Sequence, residues 1–149
     1  MPELNPRRIM LLRVFGTIIS AVILIAAFPP HDLMWCAPIA VAIATLSWHG
    51  ASTRAGFLLG LLFGVFFFLP HIAWMRVVGD DAWVLLSCLF IPAFGLLGAG
   101  VAITSRLRFW PIAVPLLWIA TEAVRSRFPF DGFPWGRLAF SQSSSQLAS

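Results

Sequence analysis

The chain has 149 residues, of which 60% are hydrophobic and 11% are charged, and it contains no lysine. A soluble domain carries roughly 25% charged residues, so this composition cannot cover a globular surface with polar groups. Disorder is excluded too, because disordered chains are poor in aromatic residues and rich in charge. The arginines are scattered between apolar runs without forming a stripe, which argues against a nucleic-acid partner. The solvent of this chain is predicted to be lipid.

Five apolar runs approach or reach the length of about 20 residues that a membrane-spanning helix needs. They are residues 11–28, 33–48, 55–74, 82–105 and 109–124. Each is predicted to be helical, because a segment in lipid must satisfy its own backbone groups and the alternation of barrel strands is absent. The predicted fold class is all-α, a polytopic membrane bundle of about five transmembrane helices without a soluble catalytic domain. A cleaved signal peptide is the alternative for the first run, and the four later spans favour an uncleaved helix.

The arginines predict the topology, because cytoplasmic loops retain basic residues. With the N-terminus inside, most arginines are cytoplasmic and all acidic residues except Glu3 lie at or beyond the outer surface. The chain then divides into a cytoplasmic N-terminus (residues 1–10), a membrane bundle (11–124) and an extracytoplasmic loop with a truncated tail (125–149). We expect a multi-pass protein of the cytoplasmic membrane.

Glycine and tryptophan predict how the helices pack. Gly56, Gly60 and Gly64 repeat every four residues and line one face of the third helix, which therefore admits a close neighbour. Tryptophan prefers the headgroup level, so Trp48 and Trp110 are predicted to mark the inner membrane interface.

Polar residues that apolar packing does not explain gather on the predicted outer face. His31, His71 and the neighbouring aspartates match no known metal-ligand spacing, so no metal site is predicted. Glu122 and Arg125 are three residues apart and share a helix face. They form either a local ion pair that anchors the helix end, which the residues alone favour, or a functional pair.

The segment 128–136 is aromatic and rich in proline and glycine, and it directly follows the fifth span. It is predicted to form a rigid loop at headgroup level, which could line a portal for a lipid or an acyl chain. Interface anchoring by Phe133 and Trp135 is the alternative explanation.

Several motifs together resemble the N-terminal membrane region of bacterial apolipoprotein N-acyltransferases. They include F-P-P-H-D-L at 28–33, W-I-A-T-E-A-V-R at 118–125 and G-F-P-W-G-R-L-A-F-S-Q at 132–142. The last is similar to the family signature G-F-P-W-x-x-x-G/A-Y/F-S/G-Q and is the most specific of the three. The segment F-P-F-D-G-F-P-W-G at 128–136 is most similar to the corresponding segment of actinobacterial members.

The resemblance implies an enzyme that transfers an acyl chain from a membrane phospholipid to the N-terminal diacylglyceryl-modified cysteine of a lipoprotein. It also implies about eight spans and a periplasmic nitrilase-fold domain, whose Glu-Lys-Cys triad forms a thioester acyl-enzyme. Without lysine, this sequence cannot assemble the triad, and Cys36 and Cys88 match no nucleophile motif. We therefore expect an N-terminal part that is catalytically incomplete, with no catalytic residue and no cofactor of its own.

The residues that the resemblance places near the substrates are Glu122, Arg125, Gly132, Phe133, Pro134, Trp135 and Gln142. They would belong to a portal beneath the triad, with Arg125 or Arg127 available for a phosphate. The alternative function is a noncatalytic membrane anchor for a polyprenol-phosphate mannosyltransferase, which accompanies this region in some actinobacteria. A small transporter is a third possibility, and the lack of paired ionisable residues at the centre of the spans disfavours it.

Overall fold

The computed structural model of the chain describes residues 5–128 and 132–142. Within these ranges the chain forms five α-helices, two short 3-10 helices and no strand. The α-helices are α1 (Pro6–Ala26), α2 (Cys36–Trp48), α3 (Thr53–His71), α4 (Asp80–Thr104) and α5 (Trp110–Arg125), and the 3-10 helices are Ala73–Val77 and Leu138–Gln142. In the described ranges, α1, α3 and α4 are the three helices long and apolar enough to cross a membrane, and α2 is a shorter apolar helix. The predicted all-α membrane bundle is confirmed.

The first two helices begin at positions that differ from the predicted spans. Helix α1 starts at Pro6, because Asn5 accepts a hydrogen bond from the Arg7 amide at 3.0 Å and proline is favourable in a first turn. Helix α2 starts at Cys36, because the preceding residues turn the chain back from α1. In that turn Leu33 N donates to the carbonyl oxygen of Ala26 at 3.0 Å.

The closest helix packing joins α3 and α4. A Cβ atom added to Gly56 would lie 2.6 Å from the carbonyl oxygen of Gly98, and one added to Gly60 would overlap the carbonyl oxygen of Phe94. Backbones can approach this closely only where side chains are absent. The neighbour that the glycine spacing predicts is therefore α4.

The centre of the bundle is filled by aromatic rings. Trp48 is fully buried, and its ring stacks on Trp118 with the centroids 6.2 Å apart and the planes 8° apart. Its Nε1 donates to Oγ1 of Thr17 at 3.1 Å. Trp48 is therefore a buried residue of the bundle, because a hydroxyl on α1 satisfies its indole N–H, and its position at the inner membrane interface stays a prediction.

Candidate functional site

The ends of α1, α3 and α5 meet at one end of the bundle, which we call the loop end. Residues 132–142, the GFPW loop, cross this end and contact each of these helices or the residues that follow them. Phe28 lies just after α1, and its ring centroid is 4.5 Å from that of His71 at the end of α3. A Cβ atom on Gly136 of the loop would lie 3.1 Å from Cδ2 of His71. Short connections between antiparallel helices thus bring together segments that are far apart in the sequence.

The GFPW loop begins by folding back onto the end of α5. Phe133 N donates to the carbonyl oxygen of Arg125 at 2.9 Å. Gly132 has φ of 77°, and a Cβ atom there would overlap the backbone of Ser126 and Arg127. Only glycine fits this position without strain, since it combines a left-handed conformation with a close backbone approach. The glycine of the G-F-P-W motif therefore sets the direction of the loop.

Arg125 lies under the loop, and the residue is only 3% exposed. Its Nη1 donates to the carbonyl oxygen of Trp135 at 2.6 Å, and its Nη2 donates to that of Gly136 at 3.3 Å. Its Cζ lies 5.5 Å from the ring centroid of Phe68 and 5.7 Å from that of Phe94. Charge-assisted hydrogen bonds and aromatic faces together compensate the burial of this cation.

Glu122 holds the loop from one helical turn away. Its Oε1 accepts a hydrogen bond from Leu138 N at 2.9 Å. Among the described residues, only Arg76 and Asp80 form an ion pair with a nitrogen–oxygen distance below 4.0 Å. The predicted local ion pair between Glu122 and Arg125 is therefore wrong. The physical reason is that the loop backbone offers carbonyl oxygens to the cation and an amide N–H to the carboxylate.

The aromatic residues of the loop have different environments. Phe133 packs inside, with its ring centroid 6.1 Å from that of Phe68 and 5.8 Å from that of Phe90. Trp135 is 49% exposed, and its ring centroid lies 5.2 Å from that of Trp74. Phe133 is therefore an internal anchor of the loop, whereas Trp135 presents half of its surface to the surroundings.

The remaining predicted site residues also lie at the loop end. Pro134 is exposed, and Gln142 Nε2 donates to the carbonyl oxygen of Met34 at 3.2 Å. Arg127 is exposed, lies two residues after the end of α5 and donates to the carbonyl oxygen of Ala123 in that helix. All seven predicted site residues are thus brought together, and their contact with substrate stays a prediction. The residues 129–131 and the tail from 143 onward, which the sequence analysis also used, lie outside the described residues.

Two cavities flank the GFPW loop. One of about 600 Å³ separates the loop from the start of α2, and its lining is mostly apolar. Its lining residues are Met34, Trp35, Ala37, Pro38, Val41, Ala42, Leu138, Ala139 and Gln142. The other cavity, of about 340 Å³, is lined by Phe28, Pro29, His71, Trp74, Trp135, Gly136 and Phe140.

Sequence reasoning did not assign the lining residues of the second cavity, except Trp135, to the site. The signal that was available is that Phe28, His71 and Trp74 each follow or end a helix whose connection is short.

Among the described residues, no group of three or more histidines, cysteines and acids comes together as a metal site would require.

Residues 20–149 match the family model described as "Apolipoprotein N-acyltransferase N-terminal domain". Proteins named apolipoprotein N-acyltransferase show clear similarity to the chain. That of Methylococcus capsulatus is 31% identical over 144 residues, covering 87% of this chain and 28% of the relative. That of Vibrio vulnificus is 31% identical over 139 residues, covering 83% and 27% respectively. An actinobacterial relative, from Mycolicibacterium smegmatis, is 36% identical over 100 residues, covering 64% and 16%. The chain therefore spans less than a third of the length of each of these relatives.

Proposed function

Because this chain belongs to the apolipoprotein N-acyltransferase family, we propose that it supplies the membrane bundle of an enzyme that transfers an acyl chain to lipoproteins. In the proposed reaction, an ester bond of a phospholipid breaks and an amide bond forms at the α-amino nitrogen of a diacylglyceryl-modified cysteine. The amine loses a proton, and the lysophospholipid leaves with a proton on its freed oxygen. Both substrates carry fatty chains, so a bundle within the membrane is a suitable place to hold them.

The observation that carries the proposal is the way α5 holds the GFPW loop between two cavities. Arg125 donates to two carbonyl oxygens of the loop, and Glu122 accepts from one of its amides. The loop therefore has a fixed shape beside the cavities of about 340 and 600 Å³. A fixed wall beside apolar cavities positions two lipid substrates, which lowers the entropic cost of bringing their reacting groups together.

In this proposal five of the seven predicted site residues take one of two roles. Glu122, Arg125 and Gly132 are positioning residues, because they contact the loop backbone or set its direction. Trp135 and Gln142 contact the substrates, because each lines one of the two cavities. The phosphate role that the resemblance implies for Arg125 is not part of the proposal, since Arg125 is buried and already donates to two carbonyl oxygens.

We propose that the loop end faces the extracytoplasmic side and that the N-terminus is cytoplasmic. The distribution of arginines supports this orientation. In a background of Cys36→Ala and Cys88→Ser, Pro134→Cys should react with a membrane-impermeant maleimide in intact cells, whereas Arg108→Cys should react only after permeabilisation. The reverse pattern of labelling would contradict the orientation.

The function is tested by a chimera in which residues 20–142 replace the matching N-terminal part of the Methylococcus capsulatus relative. We expect the chimera to N-acylate a diacylglyceryl lipopeptide, measured by mass spectrometry of the product. A matched chimera that carries Glu122→Leu and Arg125→Leu should insert in the membrane and lose most of this activity.

A well-folded but inactive parent chimera would contradict the proposal. The chain by itself is expected to transfer no acyl group, because it contains no lysine for the proposed triad.

A further inference from the structure

The end of the bundle opposite the loop end is positively charged, and we call it the arginine end. Arg13 of α1 reaches the end of α2, because its Nη2 donates to the carbonyl oxygen of His49 at 2.9 Å. Gly50 N in turn donates to Oγ of Ser105, which follows α4, at 3.0 Å. Among the described residues, six arginines and no acidic residue belong to this end, which gives it a formal charge of +6. The six are Arg7, Arg8, Arg13, Arg54, Arg106 and Arg108.

A groove between α1 and α2 opens at the arginine end, and we call it the α1–α2 groove. It has a volume of about 390 Å³. Gly16 lets the two helices approach beside it, because a Cβ atom there would overlap Oγ of Ser47. Leu12 and Leu46 line the groove and are 63% and 69% exposed, so its walls are largely apolar. The lining residues are Ile9, Leu12, Arg13, Ile43, Leu46 and Ser47.

The guanidinium of Arg13 is only partly paired in this groove. Its Nη2 donates to the carbonyl oxygen of His49, whereas its Nη1 is buried and has no hydrogen-bond partner among the described residues. A buried charged donor without an acceptor is costly. Phosphate oxygens are strong acceptors for a guanidinium, and no acidic residue described at this end competes with them.

We propose that Arg13 and the α1–α2 groove bind one phospholipid whose headgroup has a net negative charge. The phosphate accepts a hydrogen bond from Arg13 Nη1, which a small rotation of the flexible side chain presents to the groove. One acyl chain lies between Leu12 and Leu46. The surrounding arginines favour an anionic headgroup over a zwitterionic one, because they repel an ammonium group.

This site is separate from the cavities beside the GFPW loop, and its occupancy does not depend on acyl transfer. In the proposed orientation of the chain, the lipid lies in the cytoplasmic leaflet. A phospholipid in the α1–α2 groove contacts both helices, so it stabilises their packing against each other. A free phosphate ion would pair with Arg13 but would leave the apolar walls of the groove uncovered.

The binding can be measured by native mass spectrometry of the purified chain in detergent. The probes are dioleoyl phosphatidylglycerol, dioleoyl phosphatidylethanolamine and glycerol 3-phosphate, of which the last carries the phosphate without acyl chains. We expect phosphatidylglycerol to bind about fivefold more tightly than phosphatidylethanolamine, the ratio that one arginine near an anionic headgroup would give. Glycerol 3-phosphate should form no stable complex. The preference for phosphatidylglycerol should fall as the ionic strength rises.

Two matched variants locate the site. Arg13→Gln should remove most of the preference for phosphatidylglycerol. Arg54→Gln removes the same charge at the same end, but Arg54 is exposed and lines a different groove of about 370 Å³ between α1 and α3. We expect Arg54→Gln to change the preference by less than about twofold, because exposed charges are screened by solvent and salt.

A photo-cross-linking experiment locates the site while Arg13 stays unaltered, so it also serves if Arg13→Gln fails to fold. Benzoylphenylalanine is introduced in place of Leu12, which lines the α1–α2 groove, or in place of Leu58, which lines the groove of Arg54. Both leucines are more than half exposed. Phosphatidylglycerol should cross-link at position 12 in clear excess over position 58.

Equal binding of the two phospholipids by the unaltered chain would overturn the proposal. So would equal losses in Arg13→Gln and Arg54→Gln, or equal cross-linking at positions 12 and 58, since either result indicates diffuse attraction to the arginine end. Glycerol 3-phosphate that binds as tightly as phosphatidylglycerol would indicate an ion site instead of a lipid site. Phospholipid held at the loop end is common to all variants and cancels from their comparison.

Discussion

Arg125 Nη1 donates to the carbonyl oxygen of Trp135 at 2.6 Å, so a cation at the end of α5 is bonded to the backbone of the loop ten residues later. Replacing Arg125 with leucine removes this bond and the second one to Gly136. Hydrogen bonds from charged groups contribute about 1.5–3 kcal/mol each. We therefore expect the free energy of opening the GFPW loop to fall by at least about 2 kcal/mol. Hydrogen–deuterium exchange should show the Phe133 amide exchanging about 30-fold faster.

The matched control for this change is Arg127→Gln. Arg127 follows the same helix end, but it is exposed and its side chain donates to the carbonyl oxygen of Ala123 in α5 rather than to the loop. Its replacement should leave the exchange of the Phe133 amide within about twofold of the original, because surface changes usually alter stability by less than about 0.5 kcal/mol. Equal exchange in the two variants would show that the buried cation does not hold the loop.

Glu122 offers a second, independent test of how the loop is held. Its Oε1 accepts from Leu138 N, and glutamine keeps an oxygen at the same place. Glu122→Leu should therefore leave the half-buried Leu138 amide unpaired at a cost of about 1–3 kcal/mol, whereas Glu122→Gln should cost less than half of that. The rate of amide exchange at Leu138 distinguishes them, and a glutamine variant as unprotected as the leucine variant would show that the bond itself is not the cause.

Much of the bundle follows from the sequence because lipid imposes a strict rule on the backbone. Apolar runs in lipid must be helices, so the five runs predict five helices, and the glycine spacing in α3 predicts its close partner. The predicted starts of α1 and α2 differ from the observed ones by several residues, because a cap at Asn5 and a turn before Cys36 decide these boundaries. Those choices depend on single hydrogen bonds rather than on hydropathy.

The candidate site was located by its motifs, but its internal contacts were not predictable. Glu122 and Arg125 share a helix face, and helix geometry alone therefore favours their pairing. The structure instead gives each charge a backbone partner from the GFPW loop, and the position of that loop depends on Gly132. The partner of Trp48, Thr17, lies 31 residues away, so burial of its indole could not be read from local sequence.

The glycine contact between α3 and α4 predicts a large difference between two alanine substitutions. In Gly60→Ala the new methyl would overlap the carbonyl oxygen of Phe94, so the helices must move apart. Overpacking of this kind costs about 1–3 kcal/mol. In Gly100→Ala the methyl would meet Leu117 Cδ1 at 3.3 Å, and the end of a leucine side chain can move. Thermal unfolding in detergent should show a lower midpoint for the first variant and little change for the second, and similar midpoints would contradict the close packing.

The hydrogen bond between Trp48 and Thr17 predicts an interaction energy inside the bundle. Nε1 of Trp48 donates to Oγ1 of Thr17 at 3.1 Å, and both residues are fully buried. Trp48→Phe or Thr17→Val alone leaves one polar group unpaired, whereas the double variant leaves neither. In a double-mutant cycle on the free energy of unfolding, the cost of the cavity left by the smaller ring cancels, because Trp48→Phe is made both with and without Thr17→Val. We expect a coupling of about 1 kcal/mol.

The control cycle for this bond pairs Thr17→Val with Trp83→Phe. Trp83 Nε1 donates to the carbonyl oxygen of Leu69, so it also loses a hydrogen bond, but one that Thr17 does not share. Distant sites without common partners are additive within about 0.5 kcal/mol, and we expect this cycle to show no larger coupling. If the cycle of Trp48 with Thr17 gave the same value as this control, the buried bond would add nothing to stability. Burial of the Trp48 indole would then follow from its packing against the rings of Trp118 and Phe63.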